Sequence, residues 1–437
     1  MELKTFRGGI HPPYQKEATA HKATEDLSLP AEVVIPMQQH VGAPNSPTVN
    51  VGDRVDAGQK IGSSEAFISA PVHASVSGTV KAIEGRPNFT GAQVQSVVIQ
   101  VDPSQPPGWA EKRDTGSLGA EQIRDAAKEA GIVGLGGAAF PTFVKLSPPA
   151  GKPIDTVIIN GCECEPFLTC DHRLMLERTE DLVSGLKLMM VAVGADKGII
   201  GVEANKMDAA DAVTAKLSGE SSVEVVPLEV KYPEGAEKML IDAVTGRRVP
   251  PGKLPSEVGV LVQNVQTAVA LYDAASTGKP VIERVITVTG QGIKEPKNLL
   301  VKVGTPIGHV ISQCGGFAGT PGKVIMGGPM TGWAQKDLSA AVVKGTSGIL
   351  VLSKDEVDYG AERQCVGCDK CIDVCPVFLM PNFIVKHTKR GQYGKANVYG
   401  AQDCFECGCC AYVCPSRISH VAYVRKAKAE IAAAEKK

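Results

Sequence analysis

The sequence predicts a multidomain α/β protein, on three observations. Its 437 residues correspond to roughly three domains at about 150 residues each. Short strand-like runs fill residues 31–101, strand-like and helical runs alternate from residue 109, and one cysteine spacing occurs twice between residues 365 and 414. The composition, 43% hydrophobic and 21% charged, is typical of folded domains and excludes a disordered chain.

Charge and hydropathy argue against nucleic acid as a partner and against a membrane span. The chain has 46 basic and 47 acidic residues and a net charge of -1, so it offers no general attraction for nucleic-acid phosphates. Residues 1–10 lack the apolar core of a secretory signal. The longest uncharged candidate, residues 258–272, is shorter than the roughly 20 apolar residues of a membrane span.

The first predicted domain covers residues 31–108, after an extended N-terminal arm of residues 1–30. Runs such as "PTVNVGDRVDAGQKIG" and "APVHASVSGTVKAIEG" are separated by glycine, proline and asparagine turns, which predicts a small β sandwich. They resemble the lipoyl-like barrel-sandwich fold. Carrier domains of that type present a lysine on a hairpin, but the corresponding stretch "SSEAFIS" has none, so we interpret the domain as a scaffold. A proline-rich linker, residues 103–108, ends it.

The second predicted domain, residues 109–279, alternates strand and helix patterns, which is typical of a Rossmann-like α/β domain with a parallel sheet. Its buried-strand runs are "TVIINGC" and "GIIGVEA". The third domain, residues 280–355, is strand-rich and looks like a β-grasp module of the soluble-ligand-binding type. A charged helix over residues 421–437 ends the chain, and it either docks on a partner or an anionic lipid surface or is solvated.

The strongest chemical signal is the run Cys-x2-Cys-x2-Cys-x3-Cys-Pro, which occurs twice within residues 356–420. This is the spacing of two-cluster ferredoxins, in which the fourth cysteine of each run ligates the other cluster. A zinc site closes with four ligands and does not account for two such runs. We therefore predict a helical domain with two [4Fe–4S] clusters. The ligand sets are Cys365, Cys368, Cys371 and Cys414 for one cluster and Cys404, Cys407, Cys410 and Cys375 for the other.

The remaining cysteines near these patterns are expected to be ordinary thiols. Cys409 lies between two predicted ligands and is interpreted as a small buried neighbour. Cys162, Cys164 and Cys170 are interpreted as loop or core thiols, because no fourth ligand for a third metal site is evident. Ferredoxin clusters carry single electrons and perform no bond chemistry. A second redox group is therefore expected elsewhere in the chain.

A glycine-rich stretch, "GIVGLGGAAFPTFVK" at residues 131–145, is the candidate for that group's site. Glycines that open a helix let backbone N–H groups approach a phosphate, and Lys145 adds a positive charge. The same pattern is equally typical of a tight turn that packs a helix. Gly134, Gly136 and Ala139 fit the looser dinucleotide spacing, but no strand clearly precedes them, which disfavours an ordinary Rossmann fold.

Two stretches, "GLGGAAFPTFVK" and "NGCECEP", resemble those that hold FMN, with NADH stacked on it, in the NADH-binding flavoprotein subunit of respiratory complex I. The order of domains, with "GGIHPP" at the start and "KYPEGAEKMLIDAVTGRRVP" and "VGVLVQNVQTA" in the second domain, is similar to the RnfC family of Rnf electron-transport complexes. Two positions depart from the complex I pattern. Cys162 replaces an aspartate, and Pro148 stands where a second aromatic residue stacks.

The resemblance implies cofactor contacts for thirteen residues, in four groups. At the FMN phosphate they are Gly134, Gly136, Gly137, Ala138 and Lys145. At the isoalloxazine or ribityl portion they are Asn160 and Glu163. Closing around the flavin they are Glu203, Asn264 and Thr267. At the dinucleotide they are Phe140, Glu165 and Lys206, with Phe140 against the nicotinamide or adenine.

The resemblance also implies the function. It implies an NAD(H)-reacting flavo-iron–sulfur subunit of a ferredoxin:NAD+ oxidoreductase, which converts two-electron hydride transfer into one-electron transfer. No catalytic acid–base residue is expected, because hydride transfer takes place on the flavin. The implied partners are other subunits of a membrane ion-translocating complex, including an iron–sulfur subunit, with ferredoxin reached indirectly. The implied location is peripheral, on the cytoplasmic face of the bacterial cell membrane.

Three alternatives remain open at this point. The nearest is a soluble cobalamin reductase of a bacterial microcompartment, which shares this set of domains. The second is a non-enzymatic iron–sulfur electron-transfer scaffold. The third treats the β-grasp section as a ligand-binding sensor.

Overall fold

The computed structural model describes residues 3–105 and 108–435. Four units follow one another in the order that the sequence predicts. Of the predicted linker, Pro106 and Pro107 lie outside the described residues, as do the last two residues of the predicted C-terminal helix. Within the described ranges, no helix combines the length and the apolarity that crossing a membrane requires.

The arm contributes one short strand, and the N-terminal unit contributes seven. They are β1 (Thr24–Asp26) of the arm, then β2 (Glu32–Pro36), β3 (Ser46–Pro47), β4 (Arg54–Val55), β5 (Lys60–Ser63), β6 (Val72–His73), β7 (Gly78–Pro87) and β8 (Gln93–Val101). The seven strands form two antiparallel sheets, in the orders β2-β8-β7-β4 and β3-β5-β6. Val33, Ile61, Val97 and Ile99 are buried in the core that the two sheets share. Alternate residues of a strand face one side, which is why this domain has an alternating sequence.

The second unit is a four-stranded parallel sheet surrounded by helices. Its elements are α1 (Ala120–Glu129), α2 (Thr142–Lys145), β9 (Thr156–Gly161), α3 (Cys170–Glu177), α4 (Thr179–Val193), β10 (Lys197–Glu203), α5 (Met207–Lys216), β11 (Val223–Leu228), α6 (Glu237–Thr245), β12 (Val260–Asn264) and α7 (Val265–Thr277). Ile159 and Ile200 face one core, and Ile158 and Ile199 face another. Both faces of the sheet are therefore covered, and its strands are continuous apolar runs.

The strand order of this sheet, β11-β10-β9-β12, is that of one half of a Rossmann fold. The chain reverses direction across the sheet between β9 and β12, so their carboxyl ends lie side by side. There Asn160 pairs in register with Asn264. In open α/β sheets this reversal point is the usual ligand site.

The third unit is a six-stranded mixed sheet with one helix. Its elements are β13 (Glu283–Thr289), β14 (Lys297–Lys302), α8 (Ile307–Gln313), β15 (Pro321–Met326), β16 (Trp333–Gln335) and β17 (Gly348–Ser353). The sheet order is β1-β14-β13-β17-β15-β16, so a strand of the N-terminal arm forms one edge. The arm is thus not merely extended, because Thr24, Glu25 and Asp26 pair in parallel with β14.

The fourth unit is helical, as the long segment between the two cysteine runs predicts. Its helices are α9 (Lys370–Asp373), α10 (Pro381–Lys389), α11 (Tyr393–Val398), α12 (Cys409–Tyr412) and α13 (His420–Glu435). Val424, Ala427 and Ile431 of α13 are buried against Ile384 of α10 and its neighbours. The terminal helix is therefore part of this unit along one face, which corrects both expectations of a freely docking or fully solvated tail.

A buried lysine joins the first three units. Lys344 is 1% exposed, and its ammonium donates to the carbonyl oxygens of Pro71 at 2.8 Å and Gly131 at 2.7 Å. Burial lowers the pKa of Lys344 to about 7. Desolvation also lowers the pKa values of His40 and His73, both of which feel the Lys344 charge. Neither imidazole is charged above pH 7, so Lys344 dominates the titration of this junction.

We expect Lys344→Met to destabilise the fold by about 1–3 kcal/mol at pH 7, because two buried carbonyl oxygens lose their donor. The stability difference should widen towards pH 9. In that range the unfolded lysine, with its ordinary pKa of 10.5, keeps a proton that the folded lysine releases, so rising pH favours the folded state of Lys344→Met relative to the wild type only if the wild-type amine stays charged. Urea unfolding at pH 7 and pH 9, followed anaerobically by circular dichroism, measures both effects.

The lowered pKa of Lys344 gives the wild type the opposite dependence. Its folded amine is neutral by pH 9 while the unfolded chain still binds the proton, so the wild type gains stability between pH 7 and pH 9 and the variant does not. The matched control is Lys323→Met, which removes an exposed lysine of the same unit and should change neither quantity. Parallel stability–pH profiles for the wild type and Lys344→Met would contradict the titration of a buried ammonium.

Candidate functional site

An open cleft lies at the carboxyl ends of β9 and β12, where the strand order reverses. It encloses about 1530 Å³, including the solvent at its mouth. Seven of the thirteen residues predicted to contact cofactors line it: Gly134, Gly136, Ala138, Phe140, Lys145, Asn160 and Asn264. The apolar part of the lining consists of Phe67, Phe140, Val144, Pro148, Pro149, Ile154, Leu254, Pro255, Val260, Leu261 and Val262. Apolar walls with a few convergent polar groups are typical of cofactor sites.

The glycine loop between α1 and α2 forms one wall of this cleft. It follows a helix and not a strand, in agreement with the sequence prediction. The N–H groups of Gly136, Gly137 and Ala138 donate to no protein acceptor within the described residues. Gly137 has a φ of +115°, and a Cβ atom there would meet nothing within 4 Å. The loop thus presents unpaired backbone donors at an open position, which fits a phosphate group.

Two buried side chains hold the loop from outside the cleft. The N–H of Leu135 donates to Thr267 Oγ1 on α7 at 2.9 Å, and its carbonyl oxygen accepts from Arg284 Nη2 on β13 at 2.6 Å. Thr267 and Arg284 are both buried. Thr267 therefore shapes the loop and does not line the cleft, and Arg284 is a functional residue that the sequence analysis missed.

The floor of the cleft is fixed by side-chain amides at the ends of the two central strands. Asn160 donates to the Gly235 carbonyl oxygen at 2.8 Å. Asn264 donates to Asp171 Oδ2 at 2.7 Å, and its own oxygen accepts the N–H of Gln266 at 2.8 Å, which caps α7. Because both amides are held by the protein, the floor is preorganised.

Lys145 stands beside this floor, at the end of α2. Its ammonium donates to Glu237 Oε1 and to the Val262 carbonyl oxygen, both at 2.7 Å, and a quarter of its side chain is exposed. The positive charge therefore lies on the cleft wall, within the same site as the free N–H groups. This arrangement fits an anionic group.

Four predicted cofactor residues lie outside the lining because their side chains bind other parts of the protein. The Glu163 carboxylate accepts N–H groups at the start of α3, at 2.7 and 3.2 Å. The Glu165 carboxylate accepts the N–H groups of Met330 at 3.0 Å and Thr331 at 2.8 Å in the third unit. Glu203 and Lys206 form a buried ion pair at 3.2 Å. The expectation of direct contact is corrected to a positioning role for these residues, and for Thr267.

The three cysteines near this region are thiols in a buried setting. Burial raises the pKa values of Cys162 and Cys170 well above the usual range, so both thiols are protonated. The Cys170 sulfur lies within 4.8 Å of carboxylate oxygens of Glu163 and Asp171. Those two carboxylates already accept hydrogen bonds from α3 and from side-chain amides. The cluster is therefore explained by helix capping and packing.

The eight cysteines of the two runs gather in two small pockets of the helical unit. Cys365, Cys368, Cys371 and Cys414 line one pocket, and Cys375, Cys404, Cys407 and Cys410 line the other. The structure therefore brings the cysteines together in the crossed sets that the spacing predicts. Four thiols around each pocket fit the ligand demand of a cubane cluster. Cys409 also borders the second pocket, but its sulfur lies 4.0 Å from the Tyr232 carbonyl oxygen.

One segment, residues 232–235, links this second pocket to the cleft. Gly235 lines the cleft, and its N–H donates to Cys164 Sγ at 3.3 Å. The buried Tyr232 hydroxyl donates to the carbonyl oxygen of Cys407 at 2.7 Å. The first pocket is lined by residues of the helical unit, and Cys365 and Cys368 at its edge are exposed. The two pockets thus lie on an inner and an outer side of that unit.

Four family models match the chain, in the order of its units. They are the RnfC barrel sandwich hybrid domain over residues 4–104, the Nuo51 FMN-binding domain over residues 127–273, the SLBB domain over residues 285–334 and the 4Fe-4S dicluster domain over residues 356–418. Each match covers only a part of the chain.

Relatives that align with nearly the whole chain decide the family. The RnfC protein of the Na(+)-translocating ferredoxin:NAD(+) oxidoreductase complex of Acetobacterium woodii is 48% identical over 99% of this chain and 98% of its own length. The chain belongs to the RnfC family. Another member, from the proton-translocating complex of Clostridium ljungdahlii, is 46% identical over 87% of this chain and 84% of its own length. The corresponding protein of the Rhodobacter capsulatus ion-translocating complex is 39% identical over 87% and 74%.

The RnfC fold also resembles a solved structure of lower identity. The NAD+-reducing [NiFe]-hydrogenase in the H2-reduced state aligns with a TM-score of 0.51 and 19% identity, over 74% of this chain and 62% of that chain. The likeness is one of fold alone.

The matches confirm the predicted family and the predicted fold class, with barrel-sandwich, FMN-binding, β-grasp-type and two-cluster domains. They also confirm FMN and two [4Fe–4S] clusters as the cofactors of this RnfC-family protein, with NAD(H) as substrate. The individual residues that bind these groups stay predictions.

We expect Cys375→Ser to remove the cluster of the inner pocket and to spare that of the outer one, because Cys375 lies in the first run but borders the second pocket. About half of the iron and sulfide should be lost, as measured chemically and by Mössbauer spectroscopy of anaerobically prepared protein.

The control is Cys409→Ser, which changes a buried cysteine beside the same pocket and should retain all of the iron. If Cys375→Ser instead disrupts the cluster of Cys365, Cys368 and Cys371, the crossed assignment is wrong.

Proposed function

We propose that this chain is the NAD(H)-reacting subunit of an ion-translocating ferredoxin:NAD+ oxidoreductase complex. The observation that carries this proposal is the short segment from Gly235 to Tyr232, which joins the cofactor cleft to the inner cysteine pocket. Bound FMN supplies the exchange between two-electron hydride chemistry and the single-electron chemistry of iron–sulfur clusters.

We assign the FMN phosphate to the glycine loop. The N–H groups of Gly136, Gly137 and Ala138 point to no other acceptor among the described residues, and the Lys145 ammonium stands on the same cleft wall. Charge-assisted hydrogen bonds are about twice as strong as neutral ones, so these groups account for retention of a doubly charged phosphate.

We assign the flavin ring and its ribityl chain to the floor, where Asn160 and Asn264 are already hydrogen-bonded to protein partners. Fixed amides and an apolar surround exclude water and need no rearrangement when substrate arrives. Hydride transfer requires no proton relay at this floor, so we assign no acid–base residue.

The chain's contacts also suggest how the electrons leave. Tyr232 and the arm hold the inner cysteine pocket against the FMN-binding domain, since the N–H of Gly9 donates to the Val374 carbonyl oxygen at 3.0 Å. Cys365 and Cys368 are exposed on the outer side. We infer that the outer pocket faces an iron–sulfur subunit of the complex at the cytoplasmic face of the membrane, and that ferredoxin is reached through that subunit.

The proposal is tested by titrating the anaerobically purified chain with NADH. Flavin absorbance should bleach first, followed by the broader absorbance of the clusters. A flavin that NADH does not bleach would leave an electron-transfer scaffold, and co-purification with membrane subunits separates the proposed protein from a soluble cobalamin reductase.

We expect Lys145→Ala to weaken FMN binding by roughly 10- to 100-fold, as the loss of a hydrogen bond to a charged group implies. Iron content should stay unchanged, because the cysteine pockets lie in another unit. Flavin and iron counted per chain after gel filtration measure both effects.

The control for Lys145 is Lys152→Ala, which also removes a lysine paired with a glutamate but lies on the surface. Joint loss of flavin and iron in Lys145→Ala would show that the two sites fold as one unit and would contradict the assignment.

A further inference from the structure

The hairpin between β5 and β6 carries an aromatic ring from the first unit into the cofactor cleft. Phe67, in the stretch "SSEAFIS", lines the cleft although every other lining residue belongs to the second unit. This is the stretch where lipoyl-like carrier domains bear their lysine. The Phe67 side chain is 67% exposed, which is unusual for a phenylalanine that the fold has placed with several contacts.

The hairpin is fixed to the glycine loop by backbone contacts. The N–H of Val41 donates to the Ala139 carbonyl oxygen at 3.2 Å, and that of Ala43 donates to the Ile68 carbonyl oxygen at 3.0 Å. A Cβ atom at Gly42 would come within 2.1 Å of that same Ile68 oxygen, so the two turns touch closely. The apex of the hairpin is therefore held beside the cleft and does not swing.

The ring itself has one aromatic neighbour. Phe67 and Phe143 form a T-shaped pair with centroids 5.8 Å apart and an interplanar angle of 80°. The ammonium of the exposed Lys128 lies 5.7 Å from the Phe143 centroid. The cleft mouth thus combines an oriented, largely uncovered ring with a nearby positive charge. That combination suits a ligand with both an aromatic base and phosphates.

We propose that Phe67 stacks on the adenine ring of NAD(H), so that the barrel-sandwich unit completes the dinucleotide site. This inference rests on the proposed function. If FMN occupies the floor and the glycine loop, the nicotinamide must meet it there, and the adenosine half extends towards the mouth. Lys128 is then the nearest cation to the pyrophosphate.

The test compares binding of ADP-ribose, which has the adenine and the pyrophosphate but no nicotinamide, to FMN-loaded wild type and variants by calorimetry. Phe67→Ala should bind it roughly 5- to 150-fold more weakly, the range for loss of one base–aromatic stack. Phe67→Trp should restore binding, and Phe67→Leu should not. The matched control, Ile68→Ala, changes a neighbouring exposed side chain of the same hairpin and should bind as the wild type does.

A second measurement uses reduced nicotinamide mononucleotide, which lacks the adenosine half. Phe67→Ala should raise the KM for NADH, leave the KM for the mononucleotide unchanged, and retain its full content of FMN and iron. Unchanged ADP-ribose binding in Phe67→Ala, or wild-type binding in Phe67→Leu, would overturn the stacking. Loss of FMN from Phe67→Ala would place the ring on the flavin instead and would also overturn it.

Failure of the proposed function has a different signature. A wild-type protein that binds ADP-ribose but is not reduced by NADH contradicts hydride exchange and leaves Phe67 to be judged by its effect on ADP-ribose.

Discussion

The buried peptide of Leu135 is the contact on which the cofactor cleft depends. Its N–H is held by Thr267 and its carbonyl oxygen by Arg284. Buried backbone groups must be paired, so these two bonds leave the next three N–H groups to face the cleft. Burial lowers the pKa of Arg284 to about 10, which still leaves a guanidinium that is charged at neutral pH. The FMN-binding and β-grasp domains therefore form one site, because neither alone fixes the loop.

Similar buried contacts connect the other domains. Lys344 joins the barrel sandwich, the glycine loop and the β-grasp domain, and Glu165 reaches from the second domain to the backbone of Met330. Tyr232 connects the cleft floor with the inner cysteine pocket. Charged and polar groups removed from water need well-placed partners, so domains joined in this way have little freedom to shift. A fixed geometry is what electron transfer between two cofactor sites requires.

The sequence predicts those features that depend on neighbouring residues. The crossed cysteine sets follow from covalent spacing alone, and the parallel sheet follows from apolar runs such as that ending at Asn160. Burial of Glu203 and Lys206 depends on residues distant in the chain, and no local pattern distinguishes a buried ion pair from a ligand-binding one. Phe67 could not be assigned because the approach of its hairpin to another domain is set by docking. Arg284 was missed for the same reason.

The N-terminal arm has a consequence for biosynthesis. Its strand pairs with Asn298 to Leu300, and its glycines contact Val374. These partners leave the ribosome long after the arm does, so the arm waits, exposed and unpaired, while most of the chain is translated. The first residues to be made are among the last to find their place. The arm then acts as a closing strap whose attachment marks a completed molecule.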